Sequence, residues 1–257
     1  MNHPAIVLFK PKSSGNVGAA ARALKNMGLT DLRLVAPVRL NRRAAAAMAV
    51  HADDLLENAR IYPDLVSALE DCTLTVGTTC RPGPYRSSAK ALNEIAPELL
   101  RASIANKVAI IFGPEDFGLS NEELKLCQLL LTIPTAPEYP SLNLAQAVMV
   151  VAYELMMASR TERATSDQND TGWIQRAPAA EVDAMMERLA SALVSIGFIS
   201  VDNPDHIMFA IRNMLGRSGI SARELDILSG LARQIGWFAE GGRETIEAKL
   251  RAGRKIR

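Results

Sequence analysis

The stretch AIVLFKPKSSGNVGAAARALKNMGLTDLRLVA, residues 5–36, decides the fold. It opens with an apolar, β-branched run, Ala5–Lys10, that reads as a strand. Val17, Ala20, Ala21, Leu24 and Met27 then recur with a 3.6-residue period, which predicts a helix over Val17–Met27, with Asn16 as its N-cap and Gly28 as the residue just past its end. A second apolar run, Leu32–Ala36, follows. Strand, helix and strand in so short a space form a βαβ unit, and such units build parallel sheets.

Working outward, Arg60–Tyr62, Thr73–Thr78, Lys107–Phe112 and Leu129–Ile133 read as further strands. Helices are expected at Asp64–Asp71, Leu92–Arg101, Asn121–Cys127 and Leu142–Ser159. The last is apolar almost all round, which implies burial on more than one side and makes a subunit interface one way to cover it. Residues 160–178, RTERATSDQNDTGWIQRAP, are polar and without period, so they read as a linker. Beyond them the pattern is helical: Ala180–Ile196, Pro204–Leu215 and Ser221–Glu240, with Gly197, Gly216 and Gly241 as stop signals. The expected organisation is an α/β domain over 1–159, a linker over 160–178 and a helical extension over 179–257.

The chain has 257 residues, 48% of them hydrophobic, with 22% charged and a net charge of +1, which excludes disordered and fibrous classes. The charge is uneven. Residues 1–60 hold nine Lys and Arg against four Asp and Glu, net +5, while residues 61–159 hold six against eleven, net −5. The last fifteen residues hold six basic and two acidic groups, net +4, so positive charge gathers at the two ends. The opening MNHPAIVLFKPK is too briefly apolar for a signal segment, and the later run Ala147–Met157 is broken by Glu154, so a cytoplasmic protein without a membrane span is expected. Cys72, Cys80 and Cys127 are odd in number and lack C-x-x-C spacing; His3, His51 and His206 lie far apart. Neither a disulfide framework nor a metal site is expected.

In parallel α/β sheets, ligands bind at the carboxyl ends of the strands. The loops there are rich in glycine, proline and small hydroxyl residues: Ser13–Gly18, Gly77–Pro82, Gly113–Leu119, and Ile133–Thr135 leading on to Glu138–Asn143. Gly15-x-x-Gly18 first suggests a phosphate cradle. It lacks the G-x-G-x-x-G and G-K-[ST] patterns, and the second strand ends Val35-Ala36-Pro37 without the acid that holds an adenosine ribose.

Three segments taken together are more specific. Asn16-x-Gly18-x-x-x-Arg22-x-x-x-x-x-Gly28, then Phe112-Gly113-Pro114-Glu115-x-x-Gly118-Leu119, then Ile133-Pro134 with Ser141-Leu142-Asn143-Leu144-Ala145-x-Ala147, resemble the three motifs of the SPOUT superfamily of RNA methyltransferases. The resemblance covers residues 5–158, and the helical extension looks like the bacterial TrmJ branch, whose members methylate the ribose 2′-hydroxyl of tRNA at anticodon-loop position 32. It implies a SPOUT-type parallel sheet with a deep trefoil knot, a homodimer, and S-adenosylmethionine bound by the knot loops. By motif position the cofactor residues are Thr78, Thr79, Cys80, Gly113, Ile133, Pro140, Ser141 and Leu142. Pro140 offers no polar side chain, so a contact there falls to its carbonyl.

The resemblance also implies that Arg22 is the catalytic arginine. A guanidinium stays protonated, so the reading adopted is that Arg22 orients the 2′-hydroxyl and an adjacent phosphate and stabilises the forming alkoxide, the proton passing to a phosphate oxygen or water. Asn16 is read as both a helix cap and a substrate contact. Glu115 is read as a partner of Arg22 or an orienter of substrate, and Ser141 and Asn143 as groups placing the cofactor and Arg22. For the RNA surface, Lys10, Lys12, Arg39, Arg42 and Arg43 gather near the expected site, and Lys249, Arg251, Arg254, Lys255 and Arg257 form a basic tail. Of the aromatics in the linker and extension, Trp173 is a candidate for base stacking, while Phe198, Phe209, Trp237 and Phe238 read as core. Ribose methylation of rRNA or of another tRNA position, and a non-catalytic RNA-binding protein on the same scaffold, are the alternatives.

Overall fold

The computed structural model of the chain describes residues 3–81, 83, 86–165, 176–200 and 205–242. Seven strands form one parallel sheet: β1 (Ala5–Phe9), β2 (Leu32–Val35), β3 (Arg60–Tyr62), β4 (Leu74–Thr78), β5 (Lys90–Ala91), β6 (Val108–Phe112) and β7 (Leu129–Thr132), in the order β3-β2-β1-β6-β4-β7-β5. The first strand explains how it stays parallel and buried. Ile6 and Leu8 enter the core on one face while Ala5, Val7 and Phe9 enter the core on the other, so helices must cover both sides.

On the first face lie α1 (Ser14–Asn26), α5 (Leu92–Ala105) and α7 (Leu144–Thr165), with α7 packed on both of the others. α2 (Arg42–Ala49) lies across α1, and α3 (Asp53–Glu57) follows it. α4 (Leu65–Leu69) and α6 (Asn121–Lys125) contribute Leu65, Leu69 and Leu124 to the second face. The expected parallel sheet is observed, with β5 as an added two-residue edge strand. α1 begins earlier than expected. Its N-cap is Ser13, whose hydroxyl accepts from the Asn16 N–H, so Asn16 lies inside the first turn and its side chain is free for other work. Gly28, at φ +74°, ends the helix as expected.

The helical extension consists of α8 (Ala179–Ser195), α9 (Asp205–Ser218) and α10 (Ala222–Trp237). It docks on the second sheet face. Phe209 enters that core, the Ala179 N–H donates to the Cys72 carbonyl at 2.8 Å, and Lys125 pairs with Asp205 at 2.7 Å. Buried Arg176 ties the two parts together, its N–H on Asn106 Oδ1 and its guanidinium on the Gly216 carbonyl, each at 2.9 Å.

Gly216 does not stop α9. A Cβ there would sit 2.1 Å from the Gln128 carbonyl oxygen, so the glycine permits close approach to the sheet rather than a chain turn. The aromatics also depart from expectation. Of these four only Phe209 is core; Phe198, Phe238 and Trp237 are 62%, 44% and 38% exposed, because they lie past the end of α8 or at the end of α10, outside the core that the three helices share. Trp173 and the basic tail lie outside the described residues.

Candidate functional site

Four loops leave the carboxyl ends of β1, β4, β6 and β7 and are stitched together by hydrogen bonds. Thr79 N–H donates to the Leu131 carbonyl at 2.9 Å, and the Thr78 hydroxyl to Ile111 at 3.0 Å. Arg86 donates to the Leu119 carbonyl and to Asn121 Oδ1 at 3.1 and 3.0 Å, and Arg81 to the Asp116 carbonyl at 3.3 Å. Between them lies a cleft of about 410 Å³, in the range of small-molecule sites. All eight residues assigned to the cofactor by motif position line it: Thr78, Thr79, Cys80, Gly113, Ile133, Pro140, Ser141 and Leu142. Phe112, Leu119 and Leu144 add apolar wall, and the Pro140 carbonyl accepts from the Thr135 hydroxyl at 3.4 Å.

One chain of side chains joins the three motif segments. Glu115 Oε1 accepts from Asn16 Nδ2 at 2.9 Å, and Asn16 Oδ1 accepts from Asn143 Nδ2 at 3.0 Å. Asn143 Oδ1 in turn caps α7, accepting from the N–H groups of Ala145 and Gln146 at 2.9 and 3.4 Å. Glu115 also receives the backbone N–H groups of Lys12 and Ser13 at 2.9 and 3.0 Å. Burial pushes the Glu115 carboxyl up, but the hydrogen bonds from Asn16, Lys12 and Ser13 outweigh it and hold the group below the usual carboxylate range. A carboxylate so occupied is a poor proton acceptor and a good clamp.

The pairing of Glu115 with Arg22 is therefore not made: three N–H donors have taken the acid. Arg22 lies on the exposed face of α1 and borders neither the cleft nor the groove between α1 and α7, which is lined in part by Asn16, Ala19, Met48, Asn143, Met149 and Val150. Ser141 is exposed and lines the cleft without capping α7. Of the basic residues expected near the site, Lys12 pairs with Asp116 at the cleft, whereas Arg42 borders a separate small cavity. Sequence reasoning missed Arg81, Arg86 and Phe117, all of which line the cleft. Phe117 stands inside the second motif at one of its unspecified positions, and its 65% exposure carries no periodic signal. Among the described residues, no three His, Cys, Asp or Glu are grouped to hold a metal, and no helix is long and apolar enough to cross a membrane.

Residues 3–153 match the SpoU rRNA Methylase family, and residues 180–246 match the C-terminal domain of tRNA methyltransferase TrmJ. Among characterised sequences, the chain is 37% identical to the tRNA (cytidine/uridine/adenosine-2′-O-)-methyltransferase TrmJ of Pseudomonas aeruginosa, over 92% of this chain and 95% of that protein. It is also 37% identical to the tRNA (cytidine/uridine-2′-O-)-methyltransferase TrmJ of Citrobacter koseri, over 90% and 95%. Among solved structures, TrmJ from Z. mobilis superposes with a TM-score of 0.75 at 32% identity, covering 91% of this chain and 99% of that one. Matches that span both the sheet unit and the helical extension leave one reading of ancestry: this chain belongs to the SpoU rRNA methylase family, in its TrmJ branch.

Proposed function

We propose that this protein transfers the methyl group of S-adenosylmethionine to a ribose 2′-hydroxyl of tRNA, at a cytidine or uridine in anticodon-loop position 32. The observation that carries this reading is the Glu115–Asn16–Asn143 chain, which closes three motif loops around one cleft of suitable size. The cleft fits the cofactor: loop carbonyls and N–H groups can read an adenine edge, apolar walls can take its faces, and two guanidiniums, Arg81 and Arg86, stand at its border. S-adenosylmethionine supplies, when bound, a methyl group on a positively charged sulfur. The protein's part is to position and to stabilise charge. Asn16, Glu115 and Asn143 hold the loops in register, Ser141 presents a hydroxyl to the cleft, and Arg22 orients the target hydroxyl and stabilises the alkoxide as the proton leaves for a phosphate oxygen or water. The names of the relatives support tRNA over rRNA as substrate, and the motif set supports an enzyme over a binding module.

Arg22 does not border the cleft of its own chain, and this favours a homodimer. The outer side of α7, with Met149, Val150, Tyr153 and Met157, is only partly covered, and Met149 and Val150 join Met48 in a groove beside α1. A second copy docked there buries that surface and brings Arg22 against the partner's cleft. Two further assignments belong to the same proposal. One is the trefoil knot, which the sheet order supports, since β7 lies between β4 and β5 although it follows both in sequence. The methyltransferase unit is residues 1–159 and the extension 179–257, although α7 runs on to Thr165. The test is Arg22→Ala with unmodified tRNA and labelled cofactor, followed by mapping of the methylated ribose. Calorimetric cofactor binding is expected to persist while single-turnover methylation falls more than about 10-fold. Unchanged turnover removes Arg22 from the mechanism, and methylation of rRNA alone overturns the substrate assignment.

A further inference from the structure

A large aromatic ring left open to water, on a loop held rigid all round, is a surface built to be covered. Phe117 is 65% exposed and lines the mouth of the cleft. The loop that carries it has little freedom. Before the ring, Glu115 is held by Lys12, Ser13 and Asn16. Beside it, the Asp116 side chain pairs with Lys12, and the Asp116 carbonyl accepts from Arg81. After it, the Gly118 N–H closes onto the Pro114 carbonyl at 2.8 Å, and Leu119 is buried. The ring is therefore presented, not merely unpacked.

Charge narrows what can cover it. The Lys12 ammonium lies 5.5 Å from the ring centroid, within cation–π range, and Arg81 anchors to the neighbouring residue. An aromatic ring with a lysine over it and an arginine anchored to the next residue suits an unstacked nucleotide, whose base offers a π-face and whose phosphates can engage those cations. It does not suit an apolar protein surface, which would have to desolvate the Lys12–Asp116 ion pair and the Arg81 guanidinium. Nor does it suit the cofactor's adenine, which calls for an enclosed slot and not a ring two-thirds open at the entrance.

We propose that Phe117 is the stacking platform for the base of the nucleotide whose ribose is methylated, with Lys12 supporting the ring and facing the adjacent phosphate. The inference rests on the ribose-methyltransferase reading of the site and adds what grips the base. Stacking reads a π-face that every base has, so this platform accepts cytidine and uridine alike.

The experiment compares wild type with Phe117→Ala and Phe117→Trp, using unmodified tRNA transcripts with cytidine or uridine at the target position. Phe117→Ala is expected to raise the tRNA concentration for half-maximal single turnover by about 5- to 100-fold on both transcripts. Its melting temperature and its calorimetric affinity for S-adenosylmethionine should match wild type. Phe117→Trp should restore the tRNA dependence, and its indole emission should be quenched on adding tRNA by more than that of wild type, which carries Trp173 and Trp237. Weakened cofactor binding with an unchanged tRNA dependence assigns the ring to the cofactor and overturns the proposal, as does an alanine variant indistinguishable from wild type. If wild type itself methylates no tRNA, the functional reading falls and takes this one with it; a working wild type with an indifferent Phe117→Ala refutes this inference alone.

Discussion

Gly113→Ala tests whether the cleft wall is set by a backbone crossing. A Cβ at residue 113 would lie 2.2 Å from the Gly118 carbonyl carbon, 2.3 Å from the Leu119 nitrogen and 2.7 Å from the Gly118 Cα. These are backbone atoms, with no flexible side chain to move aside. Ordinary contact begins at 3.4 Å, so the loop must retreat by about 1.2 Å. Overpacking of this kind costs about 1–3 kcal/mol, which at roughly 2–4 °C per kcal/mol lowers the melting temperature by about 2–12 °C. The same retreat carries Glu115 away from Asn16, and a misplacement near 1 Å costs on the order of 10²-fold in rate. Gly118→Ala, in the same loop, should behave differently. Gly118 sits at φ +63° with nothing within 4 Å of an added Cβ, so its penalty is conformational, about 1–2 kcal/mol, and Gly118→Asn should recover part of it. Asparagine at 113 should recover nothing. Scanning calorimetry and cofactor titration of the four variants decide the matter. A Gly113→Ala protein that melts with wild type and binds S-adenosylmethionine equally well would refute the argument.

Two further predictions concern charge. Glu115 has a folded-state pKa below its ordinary 4.5, so the unfolded chain takes up protons first and stability rises with pH through that range. The contribution is complete above the unfolded value and is lost as pH falls through the folded one. Glu115→Gln should therefore cost about 1 kcal/mol near neutrality, once solvent screening is allowed for, and its gap from wild type should close in urea melts as pH falls through the folded-state value. A gap independent of pH refutes the clamp. Arg33, 0% exposed, joins Asp31 at 3.2 Å and Asp71 at 2.8 Å. Arg33→Ala leaves a cavity and a broken buried pair, for a loss of about 3–5 kcal/mol in chemical denaturation. Arg33→Met fills the space, while Asp31 keeps Lys107 and Arg60 and the half-exposed Asp71 turns to water, so its loss should be less than half as large. Equal losses for the two variants would show that charge, not volume, dominates there.

What could be read without coordinates follows from where signals are local. Strand β1 and helix α1 announce themselves because their apolar spacing is dictated by what each must bury. The sequence points to Asn16 as N-cap, yet Ser13, Ser14 and Asn16 can all cap a helix, and only the backbone decides that Ser13 does. β5, two residues long, has no period to detect, and α2 runs for only eight residues, about two turns, too few for a 3.6-residue repeat to stand out. Gly216 looked like a stop because sequence does not separate a glycine needed for chain conformation from one needed for close approach. For the site, the strand-end rule and the motif order brought eight residues to one cleft. The bond between Asn16 and Glu115 spans 99 positions, and nothing local to either residue encodes it.

That bond also explains why residue 16 is an asparagine. Its side chain must donate to a carboxylate on one side and accept from an amide on the other, and a primary amide does both with two atoms fixed at one spacing. Aspartate there would face Glu115 with like charge, and alanine would leave both neighbours unpaired. Serine, one atom shorter, could not span the two. Because Glu115 is held low by its donors and Asn143 already caps α7, every polar atom of the chain is committed before substrate arrives. The protein thus meets its ligand with the loops already in register, while Ser141, at the cleft, and Arg22, on the exposed face of α1, stand outside that network.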